Sequence, residues 1–211
     1  MKAEFWHQKW QRNEIGFDQP KVNPLLKKHF NALQLAPNSP VFVPLCGKSI
    51  DMVWLLQQGM QVVGVELSQD AIERFFEALD TEPEISQLDH FTCYQAENMT
   101  IYVGDFFALD ARHLGQISAS YDRAALVALP EVMRKDYAHH LSLITDNAPQ
   151  LLITFDYDQS QHAGPPFAIS ADEVRSHYAH SYQIQLLESV PVIGGLKGHC
   201  EALEQLWLLK K

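Results

Sequence analysis

Apolar positions along the chain switch between two periods. Residues 41–45 (VFVPL), 61–66 (QVVGVE), 100–104 (TIYVG), roughly 119–122, and 151–155 (LLITF) are short, nearly unbroken apolar runs. That is the pattern of strands covered on both faces. Between them the spacing lengthens to three and four, as in helices. Helices are expected over 22–35, with Leu25, Leu26, His29, Phe30 and Leu33 inward, and over 49–58 behind an N-cap at Ser49. A third follows Ser68, with Ala71, Ile72, Phe75, Phe76 and Leu79 on one face, and a fourth runs over about 130–144. Serine fits the first position of a helix because its hydroxyl accepts an amide that has no partner in the first turn. A helix over about 171–180, capped by Ser170, precedes two last strands at 182–188 and 203–209. Strands alternating with helices predict a parallel sheet. The last two strands have no helix between them and are expected as an antiparallel hairpin at its end. Residues 80–98 are acidic and irregular and read as an insertion.

Composition narrows the class. The 211 residues are 46% hydrophobic and 20% charged, the balance of one globular domain with a full core. The net charge of −10 argues against nucleic-acid partners, which are held through phosphate neutralisation. Cys46, Cys93 and Cys200 form neither a disulfide framework nor a zinc pattern, which suits a reducing, cytoplasmic setting. No apolar run approaches the ~18 residues of a membrane span, and MKAEFWHQKW lacks the apolar core of a secretory signal. His139 and His140 point to different sides of a helix. His177 and His180 lack a third ligand nearby, so no metal is expected.

Ligands of open α/β sheets sit beyond the carboxyl ends of the strands. The first such turn, Pro44-Leu45-Cys46-Gly47-Lys48-Ser49, ends like a phosphate-binding loop. That motif needs a glycine at position 42, where the chain has Phe42. No G-x-G-x-x-G occurs either. A turn with a single glycine suits a ligand without phosphates. Glu66 ends the second strand, nineteen residues beyond Gly47, where a carboxylate accepts both hydroxyls of a ribose or favours the next helix N-terminus. Asp105 and Phe106 end the third strand and suit the amine and face of an adenine. Arg123 ends the fourth, where it holds a ligand carboxylate or pairs with Asp122 or Asp105. Ribose, adenine and a carboxylate without phosphate describe S-adenosylmethionine, and seven strands ending in a hairpin describe a Rossmann-like methyltransferase.

Residues 41–76, VFVPLCGKSIDMVWLLQQGMQVVGVELSQDAIERFF, resemble the thiopurine S-methyltransferase family, with its PLCGK, following [D/E]M-x-W and VVGVE. YDRAALVALP (121–130), GPPF (164–167), Trp6, Trp10, Gly16, Phe17 and LEQLWLL (203–209) extend the likeness over nearly the whole chain. The resemblance implies a class I, seven-stranded methyltransferase, with residues 1–36 covering a core of 37–211. It implies S-adenosylmethionine as donor, S-adenosylhomocysteine as product, and aromatic or heterocyclic thiols as acceptors. Bacterial-looking members are also associated with selenium and tellurium species. By position, Trp10, Leu45, Glu66, Asp105, Phe106 and Arg123 fall on the donor and Phe17 on the acceptor mouth. Gly47 joins the donor side through the turn it opens, and the prolines of 164–167 either hold Phe167 against the acceptor or form a rigid turn into the helix capped by Ser170. Arg123 also has a possible part in orienting an anionic acceptor. Mammalian members carry a second arginine before the last strand; here only Lys197 or His199 stands in that segment. A small-anion (halide) methyltransferase and a noncatalytic adenosyl-ligand sensor remain the competing readings. A monomer acting on a small molecule is expected, with Trp6, Trp10 and Phe17 either covering the site or stapling the N-terminus to the core.

Overall fold

A computed structural model describes residues 3–211, so the first two residues of the expected cover lie outside it. Strands β1 (Pro40–Pro44), β2 (Gln61–Glu66), β3 (Glu84–Leu88), β4 (Phe91–Ala96), β5 (Met99–Val103), β6 (Ala119–Asp122), β7 (Gln150–Tyr157), β8 (Gln183–Pro191) and β9 (Ala202–Lys210) form one sheet. Its order is β3-β4-β5-β2-β1-β6-β7-β9-β8. The five strands from β5 to β7 run parallel. β9 slots antiparallel between β7 and β8, the terminal hairpin the pattern predicts.

The helices are α1 (Ala3–Gln11), α2 (Pro24–His29), α3 (Ile50–Gln57), α4 (Gln69–Ala78), α5 (Ala111–Leu114), α6 (Glu131–Ile144) and α7 (Ala171–Tyr178). Side chains alternate across each strand, so every inner strand feeds two cores. In β1, Val41 and Val43 face a core with Leu26, Met52, Leu55 and Ile72, while Phe42 faces one with Tyr137, Leu141 and Trp207. Leu151 and Ile153 of β7 join the first core and Leu152 the second. Each such side chain contributes about 1.5–3 kcal/mol when fully buried, which is why these strands read as unbroken apolar runs. Ser49 and Ser68 cap α3 and α4, accepting from Asp51 N and Ala71 N.

Three expectations need correction. The sheet has nine strands rather than seven. The two extra strands are β3 and β4, a hairpin within 80–98, the stretch read as an insertion; every β3 residue is exposed, so no apolar alternation marks it. The helix expected over 22–35 stops at His29 and tightens into a 3₁₀ turn, Phe30–Leu33. His29 turns outward, its Nε2 lying 2.5 Å from Glu188 Oε2.

Candidate active site

The turn after β1 is tight. Leu45 and Gly47 both take left-handed backbone conformations, with φ of 47° and 52°. A non-glycine residue held there is costly and tends to mark functional turns. Cys46 N donates to Val65 O at 3.0 Å, and the thiol packs on Gly64, where an added Cβ would lie 2.9 Å from Sγ. Burial pushes the Cys46 thiol pKa up, so the thiol fills space rather than reacts. The bare Gly64 in β2 makes room for this turn.

The turn is fastened to Glu66. Gly47 N donates to Glu66 Oε2 and Ser68 N to Oε1, both at 2.9 Å. Burial raises the Glu66 pKa, and these amide bonds work against that rise. A carboxylate has about four lone-pair sites, so both oxygens keep capacity for ligand hydroxyls. Asp105 accepts from Phe107 N at 3.0 Å. The Phe106 ring is only 3% exposed and packs 4.9 Å from Tyr137 and 5.0 Å from His140, centroid to centroid. The more exposed ring at this rim is Phe107, 38% exposed and packed on Phe106 and His140, while Phe106, expected on the adenine, lines the cavity from a ring held in the core.

Above the turn lies the N-terminal cover. Phe17 meets Trp6 and Trp10 edge-on, at 5.9 and 5.4 Å. Trp10 lies on Gly47, where a Cβ would come within 3.2 Å of the indole. Lys48 of the turn pairs with Asp18 of the cover, and Arg123 Nη2 donates to Phe17 O at 3.3 Å. The aromatic cluster therefore both anchors the N-terminus and walls the site.

Two cavities meet beneath this cover. One, of about 320 Å³, is lined by all seven residues assigned to the donor: Trp10, Leu45, Gly47, Glu66, Asp105, Phe106 and Arg123. The other, of about 760 Å³, opens on the far side of Trp6, Phe17 and Arg123, which line both.

The profile of the family described as Thiopurine S-methyltransferase (TPMT) matches residues 1–209. The chain belongs to the thiopurine S-methyltransferase family. It is 53% identical over 211 residues to a Thiopurine S-methyltransferase of Teredinibacter turnerae, covering 100% of this chain and 98% of the relative. A relative of that name from Xanthobacter autotrophicus is 48% identical, with both chains covered in full. Among solved structures, a Burkholderia thailandensis 1,6-didemethyltoxoflavin-N1-methyltransferase with bound S-adenosylhomocysteine superposes with a TM-score of 0.68, at 13% identity, over 99% of this chain and 87% of that one. An Anabaena variabilis SAM-dependent methyltransferase gives 0.65, also at 13% identity, over 99% and 95%. At such identities the likeness concerns the fold. Family membership makes the protein an S-adenosylmethionine-dependent methyltransferase, with S-adenosylhomocysteine as product.

The smaller cavity fits that donor. It offers the Glu66 carboxylate at the end of β2, a cation at the end of β6, apolar walls, and no glycine-rich cradle for phosphates. Arg123 is placed by a partner that spacing did not suggest. Its Nη1 lies 3.6 Å from Asp51 Oδ2, rather than against Asp122 or Asp105. Asp51 is fully buried in the first turn of α3 and accepts from Asn23 N at 2.8 Å and Tyr121 OH at 2.9 Å. The DM-x-W motif carries Asp51, but nothing in that motif says which cation it meets.

On the acceptor side, Phe17, Pro165 and Pro166 line the larger cavity and Phe167 does not. Phe167 N donates to Val127 O at 2.7 Å, and its ring lies 5.3 Å from the buried Arg134 guanidinium. That stacking turns the ring away from the cavity and leaves the prolines as its wall. Of the two stand-ins for a second arginine, Lys197 lines the cavity and His199 does not. Lys197 Nζ donates to Pro165 O at 2.6 Å, and its pKa is lowered by burial first and by Lys9 second. Among the described residues no cluster of His, Cys, Asp and Glu could hold a metal ion, and no helix is long and apolar enough to cross a membrane.

Proposed function

We propose that this methyltransferase acts on the sulfur of small aromatic and heterocyclic thiols, thiopurines among them, and on selenium and tellurium species of similar charge. The observation that carries the reading is the second cavity. Lys9, Lys21, Arg123 and Lys197 line it against two carboxylates, Glu14 and Glu204, in a chain whose net charge is −10. Such a local excess of cations draws in a thiolate, and Phe17, Phe155 and Trp6 give an aromatic ring apolar walls. A halide needs far less than 760 Å³, and a sensor of the donor needs no second chamber.

Bound S-adenosylmethionine supplies a methyl group on a positively charged sulfur. The protein's residues do the rest by placement. Glu66, with the Gly47 and Ser68 amides behind it, orients the ribose end. Arg123 stands between the chambers, within reach of the donor carboxylate and of a thiolate. Trp6, Trp10 and Phe17 exclude water and offer ring faces to the sulfonium, an attraction of about 0.5–2 kcal/mol. Orientation for in-line attack lowers a barrier by up to about 7–11 kcal/mol in model reactions. Residues 1–36 and 37–211 work as cover and core of one domain, in a cytoplasmic monomer serving detoxification.

Incubation with methyl-labelled S-adenosylmethionine and 6-mercaptopurine, thiophenol, selenite, tellurite or iodide tests the reading. Label is expected on the thiols. Label on iodide alone would replace the thiol reading with the halide one, and binding of donor without any transfer would replace it with the sensor.

A further inference from the structure

Side chains of β9 alternate between the two cores. Leu206 and Leu208 enter one, Trp207 and Leu209 the other. By the same period Glu204 falls on the face of Leu206 and Leu208, where an apolar residue is expected. It is instead a carboxylate on the wall of the larger cavity, with Arg123 and Phe17. Its backbone is paired on both sides, opposite Phe155 of β7 and Val190 of β8, so the side chain stands on a rigid base.

We propose that Glu204 is a general base that takes the proton of weakly acidic thiol acceptors. Its Oε1 accepts from Asn23 Nδ2 at 3.0 Å, which fixes the carboxylate plane; among the described residues no donor pairs with Oε2. Arg123, Asp51 and Asn23 are the groups that face it from neighbouring elements. Burial raises the Glu204 pKa, the Asn23 hydrogen bond and then Arg123 oppose the rise, and Asp51 adds to it; the net upward shift brings the carboxylate closer to the acidity of its target.

The inference rests on the thiol reading above. The S–H proton passes to Glu204, and the sulfur lone pair forms the new S–CH₃ bond while the sulfonium–CH₃ bond breaks. The products are the methyl thioether and S-adenosylhomocysteine, and the carboxylic acid returns its proton to water at the cavity mouth. Once protonated, Glu204 no longer repels the thiolate, and Arg123 holds the charge. Acidic heterocyclic thiols arrive ionised and bypass this step, so Glu204 sets how far the acceptor range extends toward less acidic thiols.

The test compares Glu204→Gln with wild type on benzyl mercaptan, mostly protonated at neutral pH, and 4-nitrothiophenol, mostly ionised. A positioned base contributes about 10²–10⁴-fold. The variant should lose kcat/KM by at least about 10²-fold on benzyl mercaptan and far less on 4-nitrothiophenol. Glutamine keeps an oxygen for Asn23, and calorimetry should show S-adenosylhomocysteine binding with wild-type affinity. Glu204→Asp should recover part of the lost activity. Equal losses on both thiols, or weakened product binding with no difference between thiols, would make Glu204 a structural partner of Asn23 and overturn the proposal. If wild type methylates neither thiol, the thiol reading falls and the base role with it.

Discussion

Asp122 and Arg123 are adjacent, yet their carboxylate and guanidinium serve different partners. Asp122 is fully buried and accepts from Tyr137 OH at 2.7 Å and Leu126 N at 3.2 Å. It thereby ties the end of β6 to α6, whose Tyr137 lines the smaller cavity, the proposed donor site. Burial lifts the Asp122 pKa to about 6, against the pull of Tyr137 and the amides of Leu126 and Ala125. The sign follows from proton linkage. Between about pH 4 and 6 the folded state binds more protons than the unfolded one, so stability falls as pH rises through this window and is level above it. Between pH 4 and 7 this one group removes about 2 kcal/mol. Other carboxylates titrate as well, Glu66 and Glu204 in the same sense and Glu173 and Glu188 in the opposite one, so the measurement is a difference. Urea denaturation of wild type and Asp122→Asn at both pH values should show wild type losing about 2 kcal/mol more on the way to pH 7. A parallel response of the two proteins would mean that Asp122 is not the group titrating there.

The turn between β1 and α3 brings sheet, helix and cover together, and Gly47 is where they meet. Its φ of 52° and the Trp10 ring 3.2 Å from where a Cβ would stand make two separate demands for glycine. Alanine in the left-handed region costs about 1–2 kcal/mol, and the indole must also shift. Gly47→Ala should lower unfolding stability by that amount. Because Gly47 N holds Glu66 and Trp10 walls the cavity, S-adenosylhomocysteine affinity should fall as well, by about tenfold if one such contact is lost. Calorimetry showing unchanged affinity would detach this turn from the donor site. The elements themselves were legible where two cores cover a strand: β2 and β6 fall on the residues expected, and β1, β5 and β7 within a residue or two. The β3–β4 hairpin was not, since β3 has no buried face and its turn, Asp89-His90, lacks the glycine that marks tight hairpins. The site divides the same way. Leu45, Glu66 and Arg123 were readable because strand ends meet at one edge of the sheet. Asp51, Glu204 and the prolines of 164–167 were not, because their roles arise from partners 72, 181 or more positions away, or from which way a ring turns.

Across the whole molecule the smaller cavity, proposed above as the donor site, is closed by residues from distant parts of the chain: Trp6 and Trp10 near its N-terminus, and Leu45, Glu66, Asp105 and Arg123 at the strand ends. Ligand binding must therefore act on cover and core together. A ligand at about 100 times its Kd stabilises the folded state by about 2.7 kcal/mol, which raises Tm by about 5–10 °C in a chain of this size. S-adenosylhomocysteine at that level should shift the thermal transition accordingly. Trypsin gives the local readout, since Arg12 and Lys21 are exposed residues of the cover. When cleavage needs the cover to open and opening is fast, its rate follows the open population. A ligand that must leave before the cover lifts then slows cutting at both residues by about 100-fold. A raised Tm with unchanged cutting would show the cover opening independently of a filled donor cavity. Trp10 would then be an anchor for the chain rather than a wall of the site, and exclusion of water would have to come from the core alone.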